Sequence, residues 1–184
     1  MSTLLPEVIT KYKKNDIFLE TGSYKGGGIK VALDAEFDLV LSIEINKPYH
    51  DLCNERFKQE IEEGRVQLYC GDCLHTLQEI LPEISEPITF WLDAHIDWEC
   101  NVSGETPSPL IYELQQIKEL SPNLNHTILI DDMREFDLRE GWGRYNPVSK
   151  KDIENAILSI NPNYKICYEP NAVRADEVLV AYIP

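Results

Sequence analysis

Acidic residues stand where apolar runs stop. Trp91-Leu92-Asp93-Ala94-His95-Ile96-Asp97 closes one run, and Ile130-Asp131-Asp132 closes another. If the two runs are neighbouring parallel strands, their carboxylates converge at one edge of a sheet. Crowded carboxylates repel unless a cation or a shared proton relieves them. Oxygen donors suit Mg²⁺, Mn²⁺ or Ca²⁺. Asp93, Asp131 and Asp132 are therefore candidate metal ligands. The plainer alternative makes Asp131 a turn cap and leaves Asp132 in solvent. His95 is a candidate general base beside the ion, since an imidazole titrates near about 6.5, and Asp93 is the other candidate. His50, His75 and His126 fall at two helical positions and one strand entry, with no such setting.

A second set of residues reads as a binding turn. Glu20-Thr21-Gly22-Ser23-Tyr24-Lys25-Gly26-Gly27-Gly28 lies between an apolar run and a helical pattern. Glycines there allow a tight turn and close approach of a ligand to the backbone, and the following helix offers free N–H groups. Glu44 ends the next apolar run, where a carboxylate can accept both hydroxyls of a ribose. Asp72, in Cys70-Gly71-Asp72-Cys73, is either a helix N-cap or a contact to an adenine amino group, and both roles are compatible. Cys70 and Cys73 have metal or redox spacing, but no second pair accompanies them.

These residues need a scaffold that gathers strand ends. Short β-branched runs at 17–21, 39–45, 66–70, 88–93, 127–131, 164–168 and 177–183 read as strands, the central ones apolar enough to be covered on both faces. Helical patterns fill 27–35, 48–62, 73–81, 109–120 and 150–160, with a further helix over 4–14. Alternation of this kind gives an α/β fold, a doubly wound and mostly parallel seven-stranded sheet. The last two strands are joined only by 169–176, too short for a crossover helix, so they should form an antiparallel hairpin. Ligands of such sheets bind beyond the carboxyl ends of the strands.

The length of 184 residues fits one domain over 1–184. Its long segments, 96–108 and 133–149, follow the acidic strand ends and read as lid or acceptor loops. The second carries Arg134, Arg139, Trp142, Arg144 and Tyr145, suited either to a sugar or polyphenol acceptor or to inward packing. Lys and Arg number 17 against 32 Asp and Glu, a net charge of −15, which argues against nucleic acid or anionic membrane as partners. The opening MSTLLPEVITKYKK lacks a basic stretch before an apolar core, so no signal peptide is expected. The odd cysteine count (Cys53, Cys70, Cys73, Cys100, Cys167) fits free thiols in a reducing, cytoplasmic compartment.

Taken together, Glu20-Thr21-Gly22-Ser23-Tyr24 with Gly26 to Gly28, Glu44, Asp72 and the terminal hairpin resemble class I S-adenosylmethionine-dependent methyltransferases, over nearly the whole chain. Within that class, Asp93 with Asp131-Asp132 resembles the metal-dependent, macrocin-type sugar O-methyltransferases. The resemblance implies a Rossmann-like fold with S-adenosylmethionine held by Glu20, Thr21, Gly22, Ser23, Tyr24, Gly26, Glu44, Ile45, Gly71, Asp72, Cys73 and Asp93. It implies Mg²⁺ on Asp93, Asp131 and Asp132, binding two neighbouring hydroxyls of a small-molecule or glycan acceptor. Asp93 or His95 would take the proton, and a homodimer is compatible with the class. The string Asp93-Ala94-His95-Ile96-Asp97 also resembles the manganese-binding motif of arginase-like ureohydrolases, but that family's other motifs are absent from this sequence. Two further alternatives are a nicotinamide-dependent oxidoreductase, whose G-x-G-x-x-G spacing is missing, and a non-catalytic domain that binds S-adenosylmethionine.

Overall fold

The computed structural model describes residues 3–95, 104–106, 108–136 and 148–184. Most of the two expected lid segments lies outside these residues, with Asp97, Cys100, Arg139, Trp142, Arg144 and Tyr145.

Seven strands form one sheet: β1 (Ile17–Thr21), β2 (Leu39–Glu44), β3 (Val66–Cys70), β4 (Ile88–Leu92), β5 (Thr127–Ile130), β6 (Lys165–Glu169) and β7 (Val178–Tyr182). Their order is β3-β2-β1-β4-β5-β7-β6. The first five run parallel, and β7 lies antiparallel to both β5 and β6. The expected terminal hairpin is present, with β7 inserted beside β5. The chain reverses direction across the sheet between β1 and β4, and that switch point is where open α/β sheets hold ligands.

Strand residues alternate between two apolar layers. Leu19, Leu41, Phe90, Ile128 and Leu179 face a layer with α5 (Cys73–Ile80), α6 (Leu110–Leu120) and α7 (Lys150–Ile160). Phe18, Val40, Trp91, Leu129 and Val180 face the other, with α1 (Pro6–Tyr12), α2 (Gly27–Asp34) and α3 (Lys47–Arg56). Burial on both faces is why the strands read as continuous apolar runs. Caps fix the helix starts: Asp72 accepts from the Leu74 N–H at 3.0 Å, and Ser149 forms a reciprocal box with Asp152.

The helical pattern at 48–62 is broken. α3 stops at Arg56, Phe57 leaves helical geometry, and a short α4 (Lys58–Glu62) follows. Phe57 is buried against Gly26, whose imagined Cβ would lie 2.5 Å from the ring. Packing of that ring under the glycine turn accompanies the break. Leu52, within the expected helix, is exposed. His126 is a core residue. Its Nδ1 accepts from the Ile88 N–H at 3.0 Å, and its Nε2 lies 3.1 Å from the Ser121 carbonyl, pinning the start of β4 to the entry of β5.

Candidate active site

The parallel register brings the ends of five strands level. Thr21 pairs with Ile43 and Leu92, Leu92 with Ile130, and Glu44 with Cys70. Residues just past these positions therefore share one edge. A cleft of about 950 Å³ opens there, lined among others by Glu20, Gly22, Tyr24, Glu44, Asp72, Asp93, His95 and Asp132.

The glycine turn is built for close approach. Gly22 sits at φ +89°, and a Cβ on it would lie 2.9 Å from the Asp93 carbonyl oxygen. Gly26 caps α2 at φ +74°. Between them Tyr24 takes φ 47°, a left-handed backbone rare for an aromatic residue. Its N–H donates to Glu44 Oε2 at 2.7 Å, and its ring meets Tyr49 edge-on at 4.6 Å. These contacts hold a conformation the residue does not prefer.

Glu20 lies beneath this turn, almost wholly buried. Ser42 Oγ donates to its Oε1 at 2.6 Å, and Ser23 hydrogen-bonds Ser42 in turn. A Cβ on Gly28 would meet Glu20 Oε2, so a side chain where α2 begins would have to displace the buried carboxyl. Burial, with the nearby charge of Glu44, pushes the Glu20 carboxyl up to about 8, although Ser42 and the Ile29 N–H oppose the shift. Glu44 is buried too and accepts from the backbone N–H groups of Tyr24 and Asn46, each at 2.7 Å. These two bonds orient the carboxylate at the strand end. Ile45 follows with its apolar side chain half in solvent on the cleft wall.

Gly71, Asp72 and Cys73 form the neighbouring wall. Besides capping α5, Asp72 accepts from the Glu105 N–H at 2.9 Å. Gly104 packs so tightly that a Cβ would lie 2.2 Å from Asp72 Oδ2. The cap role is thus present, and the same carboxylate anchors the segment that follows β4. Cys53, Cys70, Cys73 and Cys167 are free thiols.

At the other end of the cleft, Asp93, His95 and Asp132 each offer a ligand atom within 4.8 Å of the others. His95 Nε2 lies 3.3 Å from Asp132 Oδ2 and 3.7 Å from Asp93 Oδ1. Asp132 occupies φ 53°, tolerable for a short acidic side chain. Burial and then the charge of Asp131 push the Asp93 carboxyl well above the carboxylate range, only partly offset by His95. Burial acts on Asp132 in the same sense, but the His95 hydrogen bond and the Arg134 charge outweigh it and hold that carboxyl low.

Asp131 is close but differently engaged. Thr3 Oγ1 donates to its Oδ2, and Asn171 Nδ2 donates to its Oδ1 at 2.9 Å. Three residues with no sequence signal thus shape the cluster: Thr3 and Asn171, which hold Asp131, and Glu177, which pairs with Arg134. Glu135 also faces His95, and burial raises its carboxyl. Glu113 on α6 is buried nearby, with its carboxyl pushed up to about 7 by burial.

No family model matches the chain, and no curated protein does. Solved structures match its fold. An O-methyltransferase from Bacillus cereus, in complex with S-adenosylhomocysteine (SAH), is 16% identical with a TM-score of 0.63, over 97% of this chain and 78% of its own. The SAH-bound methyltransferase PaMTH1 of Podospora anserina is 15% identical, TM-score 0.62, over 97% and 76%. The O-methyltransferase TomG of Streptomyces achromogenes, in complex with S-adenosylmethionine, is 13% identical, TM-score 0.59, over 98% and 78%. The fold is accordingly the Rossmann-like methyltransferase fold. Among the described residues, no helix is long and apolar enough to cross a membrane.

Proposed function

We propose that the protein is an S-adenosylmethionine-dependent O-methyltransferase acting on a hydroxyl of a sugar or glycan, assisted by a divalent cation, Mg²⁺ or Mn²⁺. The observation that carries this reading is the pairing within one cleft: an oriented Glu44 at the β2 end and the Asp93–His95–Asp132 cluster at the β4 and β5 ends. The cofactors of the structural neighbours support the same reading.

S-adenosylmethionine supplies an electrophilic methyl on a sulfonium. Glu44 would accept its ribose hydroxyls, Ile45 would cover one face of the adenine, and the glycine turn would admit the rest. The donor set also fits a cation. Asp93 and Asp132 give carboxylate oxygens within reach of one ion, and two carboxylates with open positions suit Mg²⁺. The cation would lower the pKa of a bound hydroxyl. His95 Nε2, beside both carboxylates, would take the proton. Asp131, held by Thr3 and Asn171, would add negative charge behind the ion. The free thiols support a reducing compartment such as the cytoplasm.

Transfer of labelled methyl from S-adenosylmethionine to a sugar panel, with Mg²⁺ and with EDTA, tests the proposal. Metal-dependent labelling that disappears in His95→Ala is expected. Labelling unchanged by EDTA would remove the cation from the account. Bound cofactor with no labelled sugar would remove the saccharide acceptor.

A further inference from the structure

The proposed cation is not the only positive charge available to the cluster. Arg134, in the short 3-10 turn Met133–Phe136, places Nη1 2.5 Å from Asp132 Oδ1 and 3.0 Å from Glu177 Oε1. Glu177 is buried at the entry to β7 and is bound to the turn three ways. It accepts from the Arg134 N–H on its side chain, its backbone carbonyl accepts from the Met133 N–H, and its carboxylate pairs with the guanidinium. This is more than a surface ion pair. A buried carboxylate fixes both the backbone and the head group of an arginine that also contacts the acidic cluster. Asp132 is thereby divided: Oδ1 faces Arg134, and Oδ2 faces His95.

We infer that Arg134, locked by Glu177, acts as an internal counter-cation that sets how tightly the Asp93–Asp132 cluster holds a divalent ion. The inference rests on the cation of the proposed function. Its physical basis is Coulombic. A guanidinium bonded to one oxygen of Asp132 repels a divalent ion on the other, and the repulsion is strong where burial limits screening. Among the described residues, Asp93, Asp131, Asp132, Glu135 and Glu177 make up the acidic side, and Arg134 and His95 are basic groups that face it. One arginine thus weakens ion binding without abolishing it. Glu177 in turn draws part of the Arg134 charge away from Asp132.

The two partners therefore carry opposite signs, which a merely structural role would not give. Arg134→Gln should tighten Mn²⁺ binding by about tenfold. Glu177→Gln removes one of the carboxylates that share the guanidinium, together with its negative charge, and should weaken Mn²⁺ binding by several-fold. Arg134→Lys keeps the charge and should stay close to wild type. The experiment is Mn²⁺ titration followed by electron paramagnetic resonance of the free ion, on the full chain and the three variants. SAH affinity measured on the same preparations reports the intact fold and tests the methyltransferase reading separately. Tighter binding in Arg134→Gln together with weaker binding in Glu177→Gln supports the inference, and so does Mn²⁺ binding that emerges only in Arg134→Gln. Weakening in both variants, or no Mn²⁺ binding in any chain while SAH still binds, overturns it.

Discussion

Replacing Glu20 with Gln removes a carboxyl that the fold holds where its charge is disfavoured. The folded carboxyl titrates near about 8, against 4.5 for an ordinary glutamate. Between those values the folded protein keeps a proton that the unfolded chain has released. Stability then falls as pH rises across the window, because the folded state binds more protons. Each pH unit is worth about 1.4 kcal/mol, so the window from 4.5 to 8 spans about 4 to 5 kcal/mol. Gln carries no titrating proton and keeps a carbonyl able to accept from Ser42. The stability of the wild type relative to Glu20→Gln should therefore drop by several kcal/mol between about pH 5 and about pH 8. Urea unfolding of both chains at the two pH values, with midpoint and slope fitted separately, measures this difference. Curves that stay parallel across the range would refute the claim that the fold suppresses ionisation of Glu20.

Other consequences are independent of that one. Gly28→Ala drives a methyl into Glu20 Oε2 and should lower stability by about 1–3 kcal/mol in thermal melts, with recovery when Glu20→Ala is added. Glu44→Ala removes the acceptor of the Tyr24 and Asn46 N–H groups and should weaken SAH binding at least about tenfold by calorimetry, and unchanged affinity would misplace the cofactor. His126→Ala leaves the Ile88 N–H unpaired in the core and should cost about 2–4 kcal/mol in denaturant unfolding. Burial holds the His126 imidazole below its ordinary 6.5. The unfolded state therefore binds the extra proton, and stability should fall as pH drops below about 6.5, a slope that His126→Gln should remove.

The parts of the site that sequence reveals are those built within a few residues. Glu20, the glycine turn, Glu44 and Asp72 each lie at or just past the carboxyl end of a strand, so alternation of strands and helices places them. Asp93 and Asp132 could be brought together from topology alone, because neighbouring parallel strands align their ends. What the sequence hides comes from distant segments. Thr3 and Asn171 reach Asp131 from far along the chain, and Glu177 reaches Arg134 likewise. Nothing in the local pattern at those positions marks them, since each partner is chosen by tertiary packing. The break at Phe57 has the same origin. The apolar spacing of 48–62 is helical throughout, and the interruption falls where a ring packs under Gly26, a contact invisible to periodicity. His126 reads as an ordinary strand entry until the fold brings Ile88 N–H and the Ser121 carbonyl to its two nitrogens.

The central claim, that the cleft at the β1–β4 switch point binds S-adenosylmethionine, is tested most directly by calorimetric titration with SAH in EDTA and again with Mg²⁺. The account predicts micromolar binding at one site in both conditions, since the groups assigned to the cofactor, Glu44 and the glycine turn, are not those assigned to the cation. Absence of binding in both would contradict it.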